Sequence, residues 1–139
     1  MKNQRDMELF GESLGQKLKS GDLVALSGPL GVGKTTLSKA IARGLGIEEI
    51  VTSPTFTIVR EYWGGRLPLF HFDVYRIMDE EEMYELGYEE YFFGKGVCIV
   101  EWADKIDQLL PENSIKIEID YGKDPQERLC RIDGKGFVI

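Results

Sequence analysis

The sequence predicts an α/β fold in which a mainly parallel sheet is flanked by helices in three layers, and two observations support this prediction. A short apolar run, residues 23–26, precedes a glycine-rich loop and an amphipathic helix. That order is typical of a buried parallel strand joined to a helix that packs on the sheet. Later β-like runs come in pairs, which predicts an antiparallel hairpin and antiparallel C-terminal strands added to the sheet.

The length of the chain predicts a single domain over residues 1–139. Hydrophobic residues make up 42% of the chain and charged residues 29%, which is ordinary for a globular protein. No run approaches the roughly 20 apolar residues that cross a membrane. The two cysteines, Cys98 and Cys130, lack the spacing of a metal site. We therefore expect a cytoplasmic protein with reduced thiols and no membrane association.

The net charge of the chain is −7, from 24 acidic and 17 basic residues. A protein that binds nucleic acid unaided usually carries a basic patch, because affinity comes largely from neutralising phosphates. The sequence shows no such patch. We therefore expect any contact with nucleic acid to be made through partner proteins.

The first half of the chain is predicted to contain two helices around one strand. Apolar residues at helical spacing predict a helix over residues 6–20, and a second helix follows the glycine-rich loop and ends at residues 44–46. Residues 23–26 form the strand between them. The apolar positions that define the helices are Met7, Phe10, Leu14 and Leu18 in the first, and Leu37, Ala40, Ile41 and Leu45 in the second.

The rest of the chain is predicted to alternate strands with short helices. Residues 57–62 and 67–72 are β-like runs around a Gly-Gly pair, which is a hairpin signal. Acidic residues 79–82 suit the first turn of a solvated helix. A strand over residues 97–100 ends at Glu101, a short helix closes at Pro111, and two last strands are predicted at 115–119 and 129–132.

Residues 28–35, Gly-Pro-Leu-Gly-Val-Gly-Lys-Thr, match the phosphate-binding pattern G-x-x-x-x-G-K-[ST] in full. Glycines let the backbone turn so that its N–H groups converge on phosphate oxygens, and the next helix offers its N-terminus to the same anion. Lys34 can reach the β- and γ-phosphates, and the Thr35 hydroxyl can ligate Mg²⁺. The pattern predicts nucleotide binding in a P-loop NTPase-like fold, with these residues beside the nucleotide: Gly31, Val32, Gly33, Lys34, Thr35 and Thr36.

Glu101 is the second candidate for the Mg²⁺ site. A P-loop site normally uses an acid at the end of a buried strand to hold the metal, and Glu101 has that position in the sequence. A solvated glutamate at an ordinary strand end is the alternative. Trp102 follows directly and is a candidate to pack near the site, with a core or surface position as the alternative.

Residues 71–76, His-Phe-Asp-Val-Tyr-Arg, place polar groups of different chemistry at a predicted strand end. Alternation along a strand puts His71, Asp73 and Tyr75 on one face. Asp73 is a candidate to orient a water molecule toward the γ-phosphate, or to serve the Mg²⁺ shell through water. A structural histidine–aspartate pair is the alternative.

The loop before the hairpin is a candidate nucleotide-sensing segment. Ser53, Pro54, Thr55 and Phe56 combine hydroxyl groups with a stiff proline, as switch segments do. A turn that leads into a strand is an equally good interpretation of these residues alone.

Four segments in this order and spacing, GPLGVGKTT, SPTF, HFDVYR and VEWA, resemble the TsaE (YjeE) family of tRNA-modification ATPases. The resemblance runs from about Gly21 to Lys105. The P-loop is generic, whereas HxDxYR with a strand-terminal Glu-Trp is specific to the family. The resemblance implies a small bacterial ATPase, slow alone, that supports two partner proteins. Those partners transfer a threonylcarbamoyl group to the adenosine beside the anticodon of tRNAs that read codons beginning with adenine.

The resemblance also implies ATP as the substrate, Mg²⁺ as the cofactor and roles for individual residues. Lys34 and Thr35 match the family's phosphate and Mg²⁺ residues, and Glu101 matches its second Mg²⁺ ligand. Asp73 matches its essential aspartate, Trp102 its tryptophan, and residues 53–56 its switch-like loop. The catalytic candidates are therefore Asp73 and Lys34. No guanine-reading N/T-K-x-D segment is present, and the preference for ATP over GTP depends on the resemblance.

One position departs from the family's pattern, and two further charged residues are candidates for the site. Pro29 stands where the family usually has aspartate, and proline removes a backbone N–H. We expect nucleotide binding to survive this change with an altered rate or affinity. Asp104 and Arg128 are charged residues after or within predicted strands and are candidates to lie near the nucleotide, with solvated positions as the alternative.

Two other functions stay open. A small kinase would share the P-loop but needs an acceptor site and usually an arginine-rich lid. The chain has seven arginines, and none cluster after the P-loop. A nucleotide-gated binding module with incidental hydrolysis is closer to the leading hypothesis, because P-loop proteins often hydrolyse slowly until a partner completes the site. Stimulation of turnover by a partner would separate these possibilities.

Overall fold

The computed structural model describes residues 2–52, 54 and 58–134. Their centre is a six-stranded sheet in the order β2-β3-β4-β1-β5-β6. The four inner strands are parallel, and the two edge strands run antiparallel to their neighbours. The strands are β1 Leu23–Ser27, β2 Val59–Tyr62, β3 Leu69–Asp73, β4 Val97–Glu101, β5 Ile115–Tyr121 and β6 Arg128–Asp133. The predicted fold class, with its antiparallel hairpin and C-terminal strands, is confirmed.

Helices cover both faces of this sheet, because alternate residues of each inner strand are apolar on opposite sides. On one face, α1 and α2 pack against Val24 and Leu26. On the other face, the remaining helices pack against Leu23 and Ala25. The helices are α1 Gln4–Lys17, α2 Lys34–Gly44, α3 Glu81–Leu86, α4 Tyr88–Phe92 and a 3-10 helix Ala103–Leu109. This gives the predicted three layers.

Helix α1 is shifted toward the N-terminus relative to the predicted residues 6–20. It starts after Asn3, whose side-chain oxygen accepts a hydrogen bond from the Asp6 N–H at 2.9 Å. A polar cap of this kind satisfies a donor that the first helical turn leaves unpaired. The helix ends before Leu18, which is extended. There the Arg66 guanidinium donates to the carbonyls of Gly15 and Leu18, both at 2.8 Å.

The helices of the second half are short. The acidic segment at 79–82 leads into α3 as predicted, but Gly87, at φ 71°, ends α3 and begins α4. Glycine adopts this left-handed conformation without steric cost, so the helix axis breaks there. The predicted short helix before Pro111 is a 3-10 helix that is kinked at Ile106. No helix among the described residues is long and apolar enough to cross a membrane.

Candidate functional site

A cavity of about 510 Å³ opens at the carboxyl ends of β3 and β4, beside the loop that joins β1 to α2. In parallel α/β sheets this edge is where ligands usually bind. The cavity lining contains three groups of residues from segments distant in sequence: Leu30, Gly31, Gly33, Lys34, Thr35 and Thr36 from the loop and α2; Ile58, Asp73, Tyr75, Arg76 and Glu82 from the middle of the chain; and Glu101 and Trp102 from the end of β4. The sequence candidates Lys34, Thr35, Asp73, Glu101 and Trp102 therefore share one cavity.

The loop at residues 28–33 has the conformation that its glycines permit. Gly31 and Gly33 have φ values of 78° and 118°, in the region that residues with a side chain rarely adopt. Helix α2 begins immediately afterwards at Lys34. Its first N–H groups therefore lie beside the cavity, where they can bind an anion.

The Lys34 side chain lies inside this loop and is only 5% exposed. Its Nζ donates to the carbonyl oxygens of Gly28 at 2.5 Å and Pro29 at 2.9 Å. The same nitrogen lies 3.7 Å from the centre of the Trp102 ring. Burial lowers the pKa of the Lys34 ammonium, and the negative charges of Glu101, Asp104 and Asp73, in that order, oppose the shift. The cation is held by carbonyl dipoles and the face of an aromatic ring.

Glu101 is 2% exposed and is held by three donors. Thr35 Oγ1 donates to one carboxylate oxygen at 2.9 Å, and Ser38 Oγ donates to the other at 3.1 Å. His71 Nε2 lies 2.5 Å from that second oxygen. Burial alone would raise the pKa of Glu101, but the hydrogen bond and charge of His71 and the two hydroxyl groups outweigh burial and leave the pKa lowered. A buried carboxylate therefore lies beside the Thr35 hydroxyl.

Asp73 occupies the end of β3, directly opposite Glu101 at the end of β4. Its carboxylate also accepts a hydrogen bond from the Tyr75 N–H at 3.1 Å. His71 is fully buried and bonds to Glu101, so the histidine pairs across strands rather than along its own strand. Its other ring nitrogen, Nδ1, has no hydrogen-bond partner in the part of the chain that the structure describes.

Trp102 directly follows β4 with φ 62° and ψ 35°, a left-handed conformation that is costly for a bulky residue. Such outliers persist where surrounding contacts hold them, and they cluster at functional sites. Here the indole ring contacts both the Lys34 ammonium and the Tyr75 ring, whose centre is 4.7 Å away. This turn directs the indole to the cavity instead of the core or open solvent.

Other sequence candidates lie around this cavity rather than in its lining. Val32 is fully buried. Asp104 lines a neighbouring groove of about 390 Å³ together with Gly28 and Pro29. Arg128 lines another groove beside the same loop, where its Nε donates to the Val32 carbonyl at 2.8 Å. Of the proposed switch-like loop, Pro54 is buried, whereas Ser53, Thr55 and Phe56 lie outside the described residues.

Ser38 and Glu82 were not singled out as site residues from the sequence, and Arg76 was named only as part of the HxDxYR motif, yet all three belong to the site. Ser38 is completely buried and follows Thr35 by three residues, one helical turn that directs both hydroxyl groups to Glu101. That spacing is visible in the sequence once Glu101 is placed beside α2. Arg76 and Glu82 reach the cavity through the chain that follows β3. The HxDxYR motif contains Arg76, whereas no sequence pattern predicts the position of Glu82.

The three-layer α/β arrangement, with its glycine-rich loop between β1 and α2, is a P-loop NTPase-like fold. A family model described as threonylcarbamoyl adenosine biosynthesis protein TsaE matches residues 1–130. The chain belongs to the TsaE family.

Individual relatives agree with this assignment. A tRNA threonylcarbamoyladenosine biosynthesis protein TsaE from Bacillus subtilis is 52% identical over 111 residues, which cover 80% of this chain and 69% of the relative. A TsaE protein of the same description from Treponema pallidum is 41% identical over 85% of this chain and 87% of its own length. The crystal structure of Bacillus subtilis YdiB is similar in fold, with a TM-score of 0.80, 42% identity and coverage of 94% of this chain and 79% of that one.

Proposed function

We propose that this protein binds ATP with Mg²⁺ in the cavity beside residues 28–35, hydrolyses it, and thereby supports threonylcarbamoyladenosine formation in tRNA. The observation that carries the proposal is the convergence of Lys34 and Thr35 with two strand-end carboxylates, Asp73 and Glu101, on one cavity. The four groups have the chemistry that a nucleoside triphosphate and its metal ion require.

In this proposal Lys34 binds the phosphate groups of the nucleotide. Its ammonium is held by the carbonyls of Gly28 and Pro29, and phosphate oxygens are stronger acceptors for the same donor. The side chain is nearly buried, so its charge acts in a poorly solvated place where electrostatic interactions are strong. The glycine N–H groups and the start of α2 add further donors.

Thr35 and Glu101 fit an Mg²⁺ site. Mg²⁺ in nucleotide sites is usually bound by one or two protein oxygens, together with water and phosphate oxygens. Thr35 Oγ1 and Glu101 Oε1 are 2.9 Å apart and supply such a pair. When bound, the ion would neutralise charge on the phosphates.

In this proposal Asp73 orients the water molecule that attacks the terminal phosphate. It lies beside Glu101 at the strand ends and lines the cavity, within the reach of Lys34's charge. A carboxylate at this place can accept a hydrogen bond from a water molecule and orient it toward the terminal phosphate. Hydrolysis without a partner is expected to be slow, because P-loop sites are commonly completed by another protein.

The role in tRNA modification comes from the relatives, whose names state threonylcarbamoyladenosine biosynthesis. We infer two partner proteins that carry out the transfer, with tRNA reached only through them. The net charge of −7 supports an indirect contact with tRNA. The free cysteines, Cys98 and Cys130, agree with a cytoplasmic location, where thiols stay reduced.

The deciding experiment measures multiple-turnover threonylcarbamoylation of tRNA by the two partner proteins, with this chain, without it, and with Lys34→Ala. Turnover should require the intact chain and ATP. Binding of a fluorescent N-methylanthraniloyl ATP, measured on the same proteins, should be lost in Lys34→Ala. If the three modification reactions run equally while nucleotide binding persists, the role in modification fails, and a kinase acceptor or a nucleotide-gated partner would have to be sought.

A further inference from the structure

The last two strands reach back to the phosphate-binding loop. Tyr121, the final residue of β5, donates its hydroxyl to the Leu30 carbonyl at 2.7 Å. Arg128, the first residue of β6, donates its Nε to the Val32 carbonyl at 2.8 Å. These two donors come from strands that are remote from the loop in sequence. They therefore hold two alternate carbonyls of the loop.

The two donors are themselves fixed in place. Tyr121 and Arg128 are directly opposite each other in the antiparallel pairing of β5 with β6. The Arg128 guanidinium lies 4.8 Å from the centre of the Tyr121 ring, and its Nη1 donates to the carbonyls of Pro125 and Glu127 at 2.8 and 2.9 Å. A planar guanidinium held on three sides keeps a defined orientation.

Each held carbonyl determines the direction of a glycine N–H. In a trans peptide the C=O and the N–H of one unit point in opposite directions, and the described residues contain no cis peptide. The Leu30 carbonyl shares its peptide with the Gly31 N–H, and the Val32 carbonyl shares its peptide with the Gly33 N–H. With both carbonyls turned toward the hairpin, these N–H groups point away from it.

Without such anchors these two peptides would be free to rotate. Gly31 and Gly33 have positive φ values, and glycine accepts both signs of φ. A rotated peptide would present a carbonyl oxygen instead of an N–H to a phosphate, which is repulsive. The anchors therefore reduce the conformational freedom that phosphate binding would otherwise have to remove.

We propose that Tyr121 and Arg128 are positioning residues that orient the Gly31 and Gly33 amides for the nucleotide phosphates. The proposal rests on the proposed function, because it assumes that this loop binds phosphate. It also gives Arg128 a role different from direct contact with the nucleotide: it acts through the backbone of the loop. The C-terminal hairpin becomes part of the phosphate site.

The test uses Tyr121→Phe and Arg128→Lys in the full chain. Affinity for N-methylanthraniloyl ADP should fall about three- to tenfold in each variant, since each loses one hydrogen bond to the loop. For ATP hydrolysis, KM should rise while kcat at saturating ATP stays at the parent value. The matched controls are Arg131→Lys, on the same strand and exposed, and Tyr84→Phe, an exposed tyrosine on α3. Both controls should bind as the parent does.

A second readout follows the loop itself without nucleotide. In ¹⁵N-glycine-labelled protein, Tyr121→Phe should move the amide resonance of Gly31 most, and Arg128→Lys that of Gly33. If the parent binds nucleotide and both variants bind it equally well, the inference is overturned. If the parent does not bind nucleotide, the proposed function fails instead. If the glycine resonances move in neither variant, Tyr121 and Arg128 do not anchor the loop, and the inference is overturned at its first step.

Discussion

Glu101 shows how single residues build this site. A carboxylate that is 2% exposed would be expensive to ionise without donors, and here His71, Ser38 and Thr35 supply them. His71 belongs to β3, and the two hydroxyl groups belong to α2. The carboxylate thus joins the central sheet to the helix that carries the phosphate loop.

We predict that His71→Ala lowers the free energy of unfolding by about 2–4 kcal/mol, because it removes a donor to a buried charge and leaves a cavity. Urea denaturation of the metal-free protein measures this change. Ser38→Ala removes a weaker donor to the same oxygen and should cost about 1 kcal/mol. If the two variants lost the same free energy of unfolding, the histidine would stabilise the Glu101 carboxylate no more than the serine does.

The sequence predicted which residues line this cavity better than it predicted which side chains bond to one another. Glu101, Lys34, Thr35 and Asp73 follow from motif and strand-end position, and the structure brings them to one cavity. The pairing of His71 with Glu101 depends on β3 lying beside β4 in a particular register. Strand neighbours are set by tertiary packing, so alternation along one strand could not identify that partner.

At the scale of elements, α1 and α2 approach each other closely at two glycines. A Cβ on Gly15 would lie 2.2 Å from the Ile41 carbonyl oxygen, and a Cβ on Gly44 would lie 2.2 Å from the Glu12 carbonyl oxygen. These distances are far shorter than any real contact. The apolar periodicity predicted both helices, but it carries no information on how closely they cross.

We predict that Gly15→Ala destabilises the protein even though alanine favours a helix by about 1 kcal/mol over glycine. The added methyl group must separate the two backbones, and overpacking of this kind typically costs about 1–3 kcal/mol or more. Ser13→Ala, at an exposed position of the same helix, is the control and should be neutral or stabilising. The reading is the midpoint of thermal unfolding; a higher midpoint for Gly15→Ala would contradict the close crossing.

At the scale of the whole molecule, β4 is completely buried between two helical layers. Cys98 on this strand is 1% exposed, and burial raises the pKa of its thiol to about 12. Because the pKa is above the ordinary thiol value, the neutral thiol is favoured by folding. Its contribution to stability is present below about pH 9 and is lost as the pH rises toward 12.

We predict that iodoacetamide at pH 8 modifies Cys130, which is half-buried on edge strand β6, faster than Cys98. Alkylation requires an accessible thiolate, and Cys98 becomes accessible only when the central sheet opens. Peptide mass spectrometry over time distinguishes the two sites, and protein unfolded in urea provides the reference in which both react. Faster modification of Cys98 would mean that the sheet opens locally.

The contact between Lys34 and Trp102 also allows tryptophan fluorescence to report on the site. Indole emission responds to a nearby charge, and the Lys34 ammonium lies 3.7 Å from the centre of this ring. If phosphate draws the ammonium away from the indole, the emission of Trp102 should change with nucleotide occupancy. The other tryptophan, Trp63, is 64% exposed. Trp63→Phe would leave Trp102 as the single tryptophan, whose emission would report the binding and release of nucleotide without any attached dye.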